Sequence, residues 1–557
     1  MLPNSPTHRF SLIILYTTSV FVLIAHLFLI SQNLLSNELW GDEAYSLIYT
    51  TKGERVREIL DPEITVFKTQ EREKYFNDNW NLKAWFDIPL RLSDMAEPHP
   101  PLFYLSLGFW TSLFGESFLS LRLFPLTISA LSLIACFAIG STLYGVGFGL
   151  MLSALFSSSF HFLLHTATTR MHSLTLLLTL LALFFFTRRY WNFKRTFIKD
   201  DLSLYLCSFF LALGMLNTFF FVHICFAFFC GCLLIEKDWL ASLKLSIVPL
   251  LIFGCYLFYS GYWQLKRINY LNYLSHETAG LERGAFFEFN LIEFFENCLL
   301  RLSPLEGLYR GGTLPKVLII VSFFLLLLLP LVNSSKNRKF VFSCFILPIL
   351  TVLLSDLIFN SFISVWAEGR VVNFLLVSIS LAMALGIIQL THSILKPLGH
   401  LFFSLVLIFI MVGNTWHAQS YFQNQAFSFT ENARLLDQTS SKAAIITDAK
   451  MSFHITAKVF LDFKDVDFFI LREPSDLVTL NLQRYQQVIY LKYLINAFPP
   501  EQKRQVQAEL IQLGFKKLFM LESRGLWGIY DHYDWEVYRK PLVIKREAEQ
   551  LFPHEPE

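Results

Sequence analysis

The chain has 557 residues, of which 54% are hydrophobic and only 16% charged, against about 25% charged in a typical soluble domain. With a mean hydropathy of +0.46, this excludes a soluble enzyme with a greasy core and indicates a polytopic membrane protein. The net charge of +2 supplies no basic patch for nucleic acid, and seven of the eight cysteines (all but Cys298) lie in apolar runs, so no disulfide framework or zinc site is implied.

The first apolar stretch, 10–30, follows His8 and Arg9 and lacks a small-x-small cleavage site. It is expected to be an uncleaved first crossing with its N-terminus in the cytoplasm. Residues 31–100 form a polar outer loop in which Asn81–Asp94 alternates apolar and charged residues, as a helix lying in the interface does. Residues 101–114 are apolar but too short to span, which predicts an interfacial or re-entrant outer helix.

Crossings follow at 118–141, 146–166 and 171–187, and the basic cluster Arg188, Arg189, Lys194, Arg195 and Lys199 places the next connector in the cytoplasm. Residues 203–235 are too long for one helix and run between cytoplasmic ends, so they are expected to make two short crossings turning near Asn217-Thr218. Further crossings are expected at 243–260, 316–333, 340–359, 371–391 and 400–416, with an outer loop at 262–314. Lys336, Arg338 and Lys339, and later Lys396 and His400, mark cytoplasmic connectors. The count is about eleven, which puts the C-terminus outside.

From residue 417 the composition becomes that of a soluble protein. Strand-like runs at Ala443–Thr447, Val466–Leu471, Gln487–Leu491, Lys517–Leu521 and Trp527–Tyr530 alternate with helical stretches such as Pro500–Leu513, a pattern that predicts a small α/β domain. It has no glycine-rich phosphate loop and no nucleophile elbow. Asp448, His454, Asp531, His532 and Asp534 are expected at its surface, and the domain is expected to act as a lid or an acceptor-docking platform. The fold class is therefore a polytopic α-helical membrane domain, 1–416, with outer interfacial helices, and a small extracytoplasmic α/β domain, 417–557.

The informative charges lie at the membrane rim. Asp42-Glu43 follows the first crossing in Leu39-Trp40-Gly41-Asp42-Glu43-Ala44-Tyr45, and Glu97-Pro98-His99-Pro100-Pro101-Leu102 precedes the short helix. Carboxylates in a chain that otherwise avoids charge are expensive to place at a membrane and point to chemistry. A transporter or lipid-sugar flippase is the alternative. Such proteins often show paired repeats and mid-membrane ionisable groups, whereas here no internal repeat is found, the ionisable groups gather on one side, and His161, His165 and His223 read as scattered. A scaffold or sensor would leave the outer acidic pair unexplained.

Four stretches carry a family likeness. The Asp-Glu pair opens the first outer loop, and His99-Pro100-Pro101-Leu102-Phe103-Tyr104 looks like an "HPPL-aromatic-Tyr" motif. Leu113 to Pro125 looks like "lfG(D/E)s…alRlps" and leads to a helix ending in Leu143-Tyr144-Gly145. Thr169-Arg170-Met171-His172-Ser173-Leu174 looks like "aRmySL", departing at Thr169 and His172 from the usual Ala and Tyr. In order and spacing, residues 10–190 resemble the GT-C superfamily of membrane glycosyltransferases. The likeness is to glycosyltransferase family 39 and relatives, the branch of the protein mannosyltransferases and the lipid A aminoarabinose transferase. Beyond residue 200 the resemblance rests on hydropathy and on a tail on the expected side.

The resemblance implies an integral membrane glycosyltransferase. Its donor would be a sugar on a polyprenyl phosphate, and its acceptor a hydroxyl of a glycolipid, glycan or protein outside the cytoplasm. Polyprenyl phosphate would leave with inversion at the sugar carbon. A hydroxyl needs a base to take its proton, and the family's base falls on Asp42, with Glu43 the alternate. The departing phosphate needs cations, for which the Arg fork is suited; Arg170 matches the family motif and Arg370 resembles a late family Arg loosely. Glu97 and His99 would organise the site, and His172 either contacts substrate or packs. No cofactor is required outright. A divalent metal at Glu97 and His99 is the one candidate, although one carboxylate and one imidazole are not a complete site. The expected partners are the donor, the acceptor and membrane lipids. The expected location is a bacterial inner membrane with the site and the tail on the periplasmic side.

Overall fold

The computed structural model describes residues 6–34, 43, 46–47, 50, 66–68, 87–90, 92, 99–115, 117–196, 200–237, 239–266, 295–300, 302–310, 316–333, 340, 342–359, 373–390, 396–423, 443–448, 466–493, 498–524 and 532–540. The chain divides into two units. One is built from Met1–Ser36, Trp85–Trp110 and Ser117–Ser420, the other from Asn37–Ala84, Thr111–Glu116 and Tyr421–Glu557. The sequence grouped residues 31–100 with 1–416, whereas this division puts Asn37–Ala84 in the same unit as the tail.

The first unit is helical, with residues 111–114 and 421–423 at the ends of two of its helices assigned to the second. Its described elements are α1 (Pro6–Leu34), α2 (Leu102–Phe114), α3 (Phe118–Tyr144), α4 (Val146–Ser157), α5 (Phe160–Ala167), α6 (His172–Thr196), α7 (Asp201–Met215), α8 (Val222–Glu236), α9 (Trp239–Tyr256), α10 (Glu306–Arg310), α11 (Lys316–Asn333), α12 (Leu347–Phe359), α13 (Leu375–Leu390) and α14 (Lys396–Gln423). By length and composition, Leu119–Tyr144, His172–Trp191 and Trp239–Lys266 are each long and apolar enough to cross a membrane. Ile134, Leu250, Leu251 and Val317 point outward from α3, α9 and α11, an apolar exterior suited to lipid rather than water.

Local signals set the helix ends. Ser117 caps α3 by accepting from the Ser120 amide at 3.2 Å, and Asp200 caps α7 by accepting from the Ser203 amide at 3.0 Å. Gly145 separates α3 from α4 at φ 91°, a backbone angle that side chains disfavour. Close packing depends on a missing side chain at Gly386 of α13, where a Cβ would lie 2.2 Å from the Leu326 carbonyl oxygen of α11. Small residues at such contacts are how membrane helices approach one another.

The expected pair of helices over 203–235 is present as α7 and α8, turning through Leu216–Phe221. The stretch 146–166, read as one crossing, is not a single straight helix. It breaks at Ser158-Ser159 into α4 and α5, which meet at 71°. The break is stabilised from a distance: the Asn414 amide of α14 donates to the carbonyls of Ser158 and Pro304, each at 2.6 Å. A carbonyl released from a helix in an apolar interior needs such a donor. Asn414→Leu is expected to strand both carbonyls and cost about 1–3 kcal/mol. A lowered thermal unfolding midpoint in detergent checks this, and an unchanged midpoint contradicts it.

The second unit holds a six-stranded sheet in the order β1-β3-β2-β4-β6-β5, from β1 (Val66–Lys68), β2 (Ala443–Thr447), β3 (Val466–Ile470), β4 (Gln487–Tyr493), β5 (Lys516–Arg524) and β6 (His532–Arg539). β2 lies parallel to β3 and β4, while β6 runs antiparallel to β4 and β5. All five residues of β2 are buried, as suits a central parallel strand. Its core includes Ile446, Phe469, Val488, Leu510 and Tyr538, under the short α15 (Asp476–Thr479) and α16 (Pro500–Gln512).

Three features differ from the sequence reading. β1 comes from the stretch 31–100 and pairs antiparallel with β3, Val66 opposite Phe469; three residues carry too little pattern to be read as a strand. Asp448, expected at the surface, is fully buried beneath the Tyr490 hydroxyl, which donates to it at 3.1 Å, with Lys503 at 3.7 Å. β6 went unread because charges interrupt it, and the expected strand Trp527–Tyr530 lies outside the described residues, as do His454 and Asp531.

The charge on β6 is itself structural. Burial alone would push the Glu536 carboxyl up, but Lys492 at 2.6 Å, Lys517 at 2.5 Å, Tyr538 at 2.7 Å and Gln507 at 2.8 Å more than offset this and hold it at about 2. A carboxylate depressed on folding stabilises above its unfolded value, near 4.5, and that stability is lost as pH falls toward about 2. Glu536→Gln is therefore expected to destabilise the sheet unit at neutral pH and to flatten its acid dependence between those values. Proteolysis of the full chain across pH measures it, and an unchanged acid profile contradicts it.

Candidate functional site

Of the candidate residues, Asp42, Glu97 and Arg370 lie outside the described residues. Glu43 is buried, 1% exposed, in helical backbone; such a carboxylate is costly to keep without polar partners. Ser46, Leu47 and Thr50 are buried with it, and the Thr50 hydroxyl donates to the Leu47 carbonyl at 2.9 Å.

The other described candidates belong to the helical unit. His99 is half-buried, and its carbonyl accepts from the Gln264 side chain at 2.8 Å. Gln264, past the end of α9, in turn accepts from the Tyr256 hydroxyl. Two prolines then lead into α2, whose first amide, Leu102, donates to the Leu216 carbonyl at 2.9 Å. The proline pair fixes an extended entry, and these bonds tie it to the α9 end and to the α7–α8 turn.

Arg170 and His172 sit where α5 gives way to α6, both buried at 6% and 7% exposure. Thr168 leaves the helix with extended backbone, φ −115° and ψ 132°, so carbonyls around it need outside donors. Arg122 donates to Ala167 O at 2.5 Å, the Asn217 amide to Met171 O at 3.1 Å and the Asn373 amide to His172 O at 2.9 Å. The Thr169 hydroxyl donates back to Leu121 O at 2.9 Å. Three separate stretches, at Leu121-Arg122, Asn217 and Asn373, thus hold this non-helical segment, which keeps a guanidinium and an imidazole in fixed backbone positions inside an apolar unit. Irregular backbone at such depth is tolerated only where protein or a polar cavity satisfies it.

The sequence reading missed what surrounds it. His161 and His165, taken as scattered, share one face of α5 at i, i+4 spacing. The His165 ring lies 4.7 Å from that of His172 and 5.5 Å from that of His161, and His161 Nε2 lies 3.6 Å from Glu306. The i, i+4 histidines were a legible signal, whereas Glu306, Asn217 and Asn373 are distant in the chain and gave none. Among the described residues, no three His, Cys, Asp or Glu side chains are grouped to hold a metal ion.

Residues 98–263 match the family described as Dolichyl-phosphate-mannose-protein mannosyltransferase. The matched span runs from the Pro-rich entry through the Arg170 segment to α9. The chain resembles glycosyltransferase family 39 of the GT-C superfamily. The family match supports a membrane-embedded glycosyltransferase.

Among solved structures, apo ArnT from Cupriavidus metallidurans is 10% identical, covering 81% of this chain and 92% of that one at a TM-score of 0.42. ArnT bound to undecaprenyl phosphate is 12% identical, covering 93% and 97% at 0.40. The oligosaccharyltransferase AglB from Archaeoglobus fulgidus, in complex with an inhibitory peptide and a dolichol-phosphate, is 11% identical, covering 84% and 69% at 0.40. No curated protein matches the chain.

Proposed function

We propose that this protein moves a sugar from a polyprenyl-phosphate donor to an acceptor hydroxyl outside the cytoplasm, with inversion at the sugar carbon. The observation that carries the reading is the family match over residues 98–263, which includes the buried Arg170 on its braced segment. Asp42 takes the acceptor proton, with Glu43 its alternate, because a hydroxyl is too weak an acid to ionise unaided. Arg170 offers two parallel N–H donors to the phosphate as charge develops on it. Arg370 is a second cation for the same group. Glu97 and His99 order the entry to the short helix.

In this reading the C1–O bond to phosphate breaks as the acceptor oxygen bonds to C1, and the electron pair leaves with the phosphate oxygen. The acceptor is a glycolipid, a glycan or a protein hydroxyl, and the outer side is the periplasm of a bacterial cell. The test is incubation of the purified full chain with radiolabelled polyprenyl-phosphate sugars and membrane extract. Release of polyprenyl phosphate coupled to label transfer is the expected result. A folded preparation that cleaves no such donor overturns the reading.

A further inference from the structure

The row His172, His165, His161 and Glu306 has no part in the reading above. It crosses from the start of α6, along one face of α5, to the start of α10, with ring spacings of 4.7 and 5.5 Å and a final 3.6 Å contact to the carboxylate. Exposure along it is 7%, 1%, 1% and 1%. Ionisable groups buried together in a membrane protein are rare without a function, and chains of His and Glu are how protons are relayed there. Each neutral imidazole accepts a proton on one nitrogen and gives one from the other. At these ring spacings a bridging water can carry a proton from one imidazole to the next.

We propose that His172 is the acid that protonates the departing phosphate, and that His165, His161 and Glu306 resupply its proton. The inference rests on the transferase reading. In the step, the C1–O bond breaks, the electron pair goes to the phosphate oxygen, and that oxygen takes the proton of the His172 imidazolium. The neutral His172 then recovers a proton from His165, His165 from His161, and His161 from water by way of the Glu306 carboxyl. The acceptor's own proton leaves separately on the carboxylate base, so protons balance at one released and one consumed per turnover.

The chemistry is matched. In solution a phosphate monoester takes up its second proton near pH 6 and an imidazole titrates near 6.5, so an imidazolium is chemically able to give its proton to the departing phosphate oxygen. The charged groups beside the row are Glu306 on α10, Arg170 before α6 and Arg122 on α3, whose guanidinium reaches the Ala167 carbonyl at the end of α5. Among the described residues, His417 of α14 reaches the row through Phe160 at 4.7 Å between rings, and His26 of α1, which packs on α5, lies 3.1 Å from the Ser157 hydroxyl. Asn217 and Asn373, which meet the segment from the α7–α8 turn and from the stretch before α13, are neutral.

The test is kcat of the full chain from pH 5 to 9, using the polyprenyl-phosphate sugar that the wild type cleaves fastest. Wild-type kcat is expected to fall on the alkaline side. His172→Phe is expected to lower kcat at least about tenfold near pH 6 and to remove that alkaline fall. Glu306→Gln, which removes the row's carboxylate, is expected to move the midpoint down, and His165→Gln, which interrupts the row, to lower kcat most on the alkaline side; both also decide the matter if His172→Phe does not fold. Variants that lower kcat by one factor at every pH, or leave it unchanged, overturn the relay and show a packing role. A folded wild type that cleaves no donor overturns the transferase reading, and the relay with it.

Discussion

Asp42→Asn is expected to lower kcat at least about a hundredfold, with KM for the donor little changed. Asparagine keeps the shape and hydrogen-bonding length of the carboxylate but cannot take a proton, so substrate still binds while deprotonation of the acceptor is lost. A change confined to kcat marks an interaction made only in the transition state. Glu43→Gln is the companion variant. Glu43 is 1% exposed in helical backbone, so its replacement is expected to act first on the stability of its surroundings. The check is single-turnover cleavage of radiolabelled donor by each variant. Full activity in Asp42→Asn together with loss in Glu43→Gln would transfer the base to Glu43.

Arg170→Lys is expected to cost about a hundredfold in kcat, in the range found when a preorganised donor to a developing anion is removed. Lysine keeps the charge and loses the planar fork, so a large effect separates bidentate recognition from simple attraction. The substitution leaves the backbone bonds from Asn217 to Met171 and from Asn373 to His172 intact, and the thermal midpoint is expected to hold. Wild-type kcat in Arg170→Lys would contradict the assignment. A fall in kcat that tracks a fall in the thermal midpoint would reduce Arg170 to a structural role.

Much of the helical architecture was legible because apolar length reports on it directly. The turn near Asn217-Thr218, the short α2 and four of the tail strands follow from patterns within one stretch of chain. What escaped depends on partners remote in sequence. The break at Ser158-Ser159 is made acceptable by Asn414, 256 residues away, and apolar composition alone reads through it. β1 is a three-residue strand that exists by pairing with β3. Asp448 and Glu536 look like surface charges until Tyr490, Lys503, Lys492 and Lys517 are brought around them. At the candidate site the motifs named Arg170 and His172, but the histidine row became visible only when α5, α6 and α10 were placed together.

The most direct measurement is the fate of a radiolabelled polyprenyl-phosphate sugar in liposomes containing the full wild-type chain, with Asp42→Asn alongside. The expected result is donor cleaved at the sugar–phosphate bond, free polyprenyl phosphate released, and both lost in Asp42→Asn. Donor that stays intact while changing leaflets, at equal rates in the two proteins, would contradict the transferase and identify a flippase.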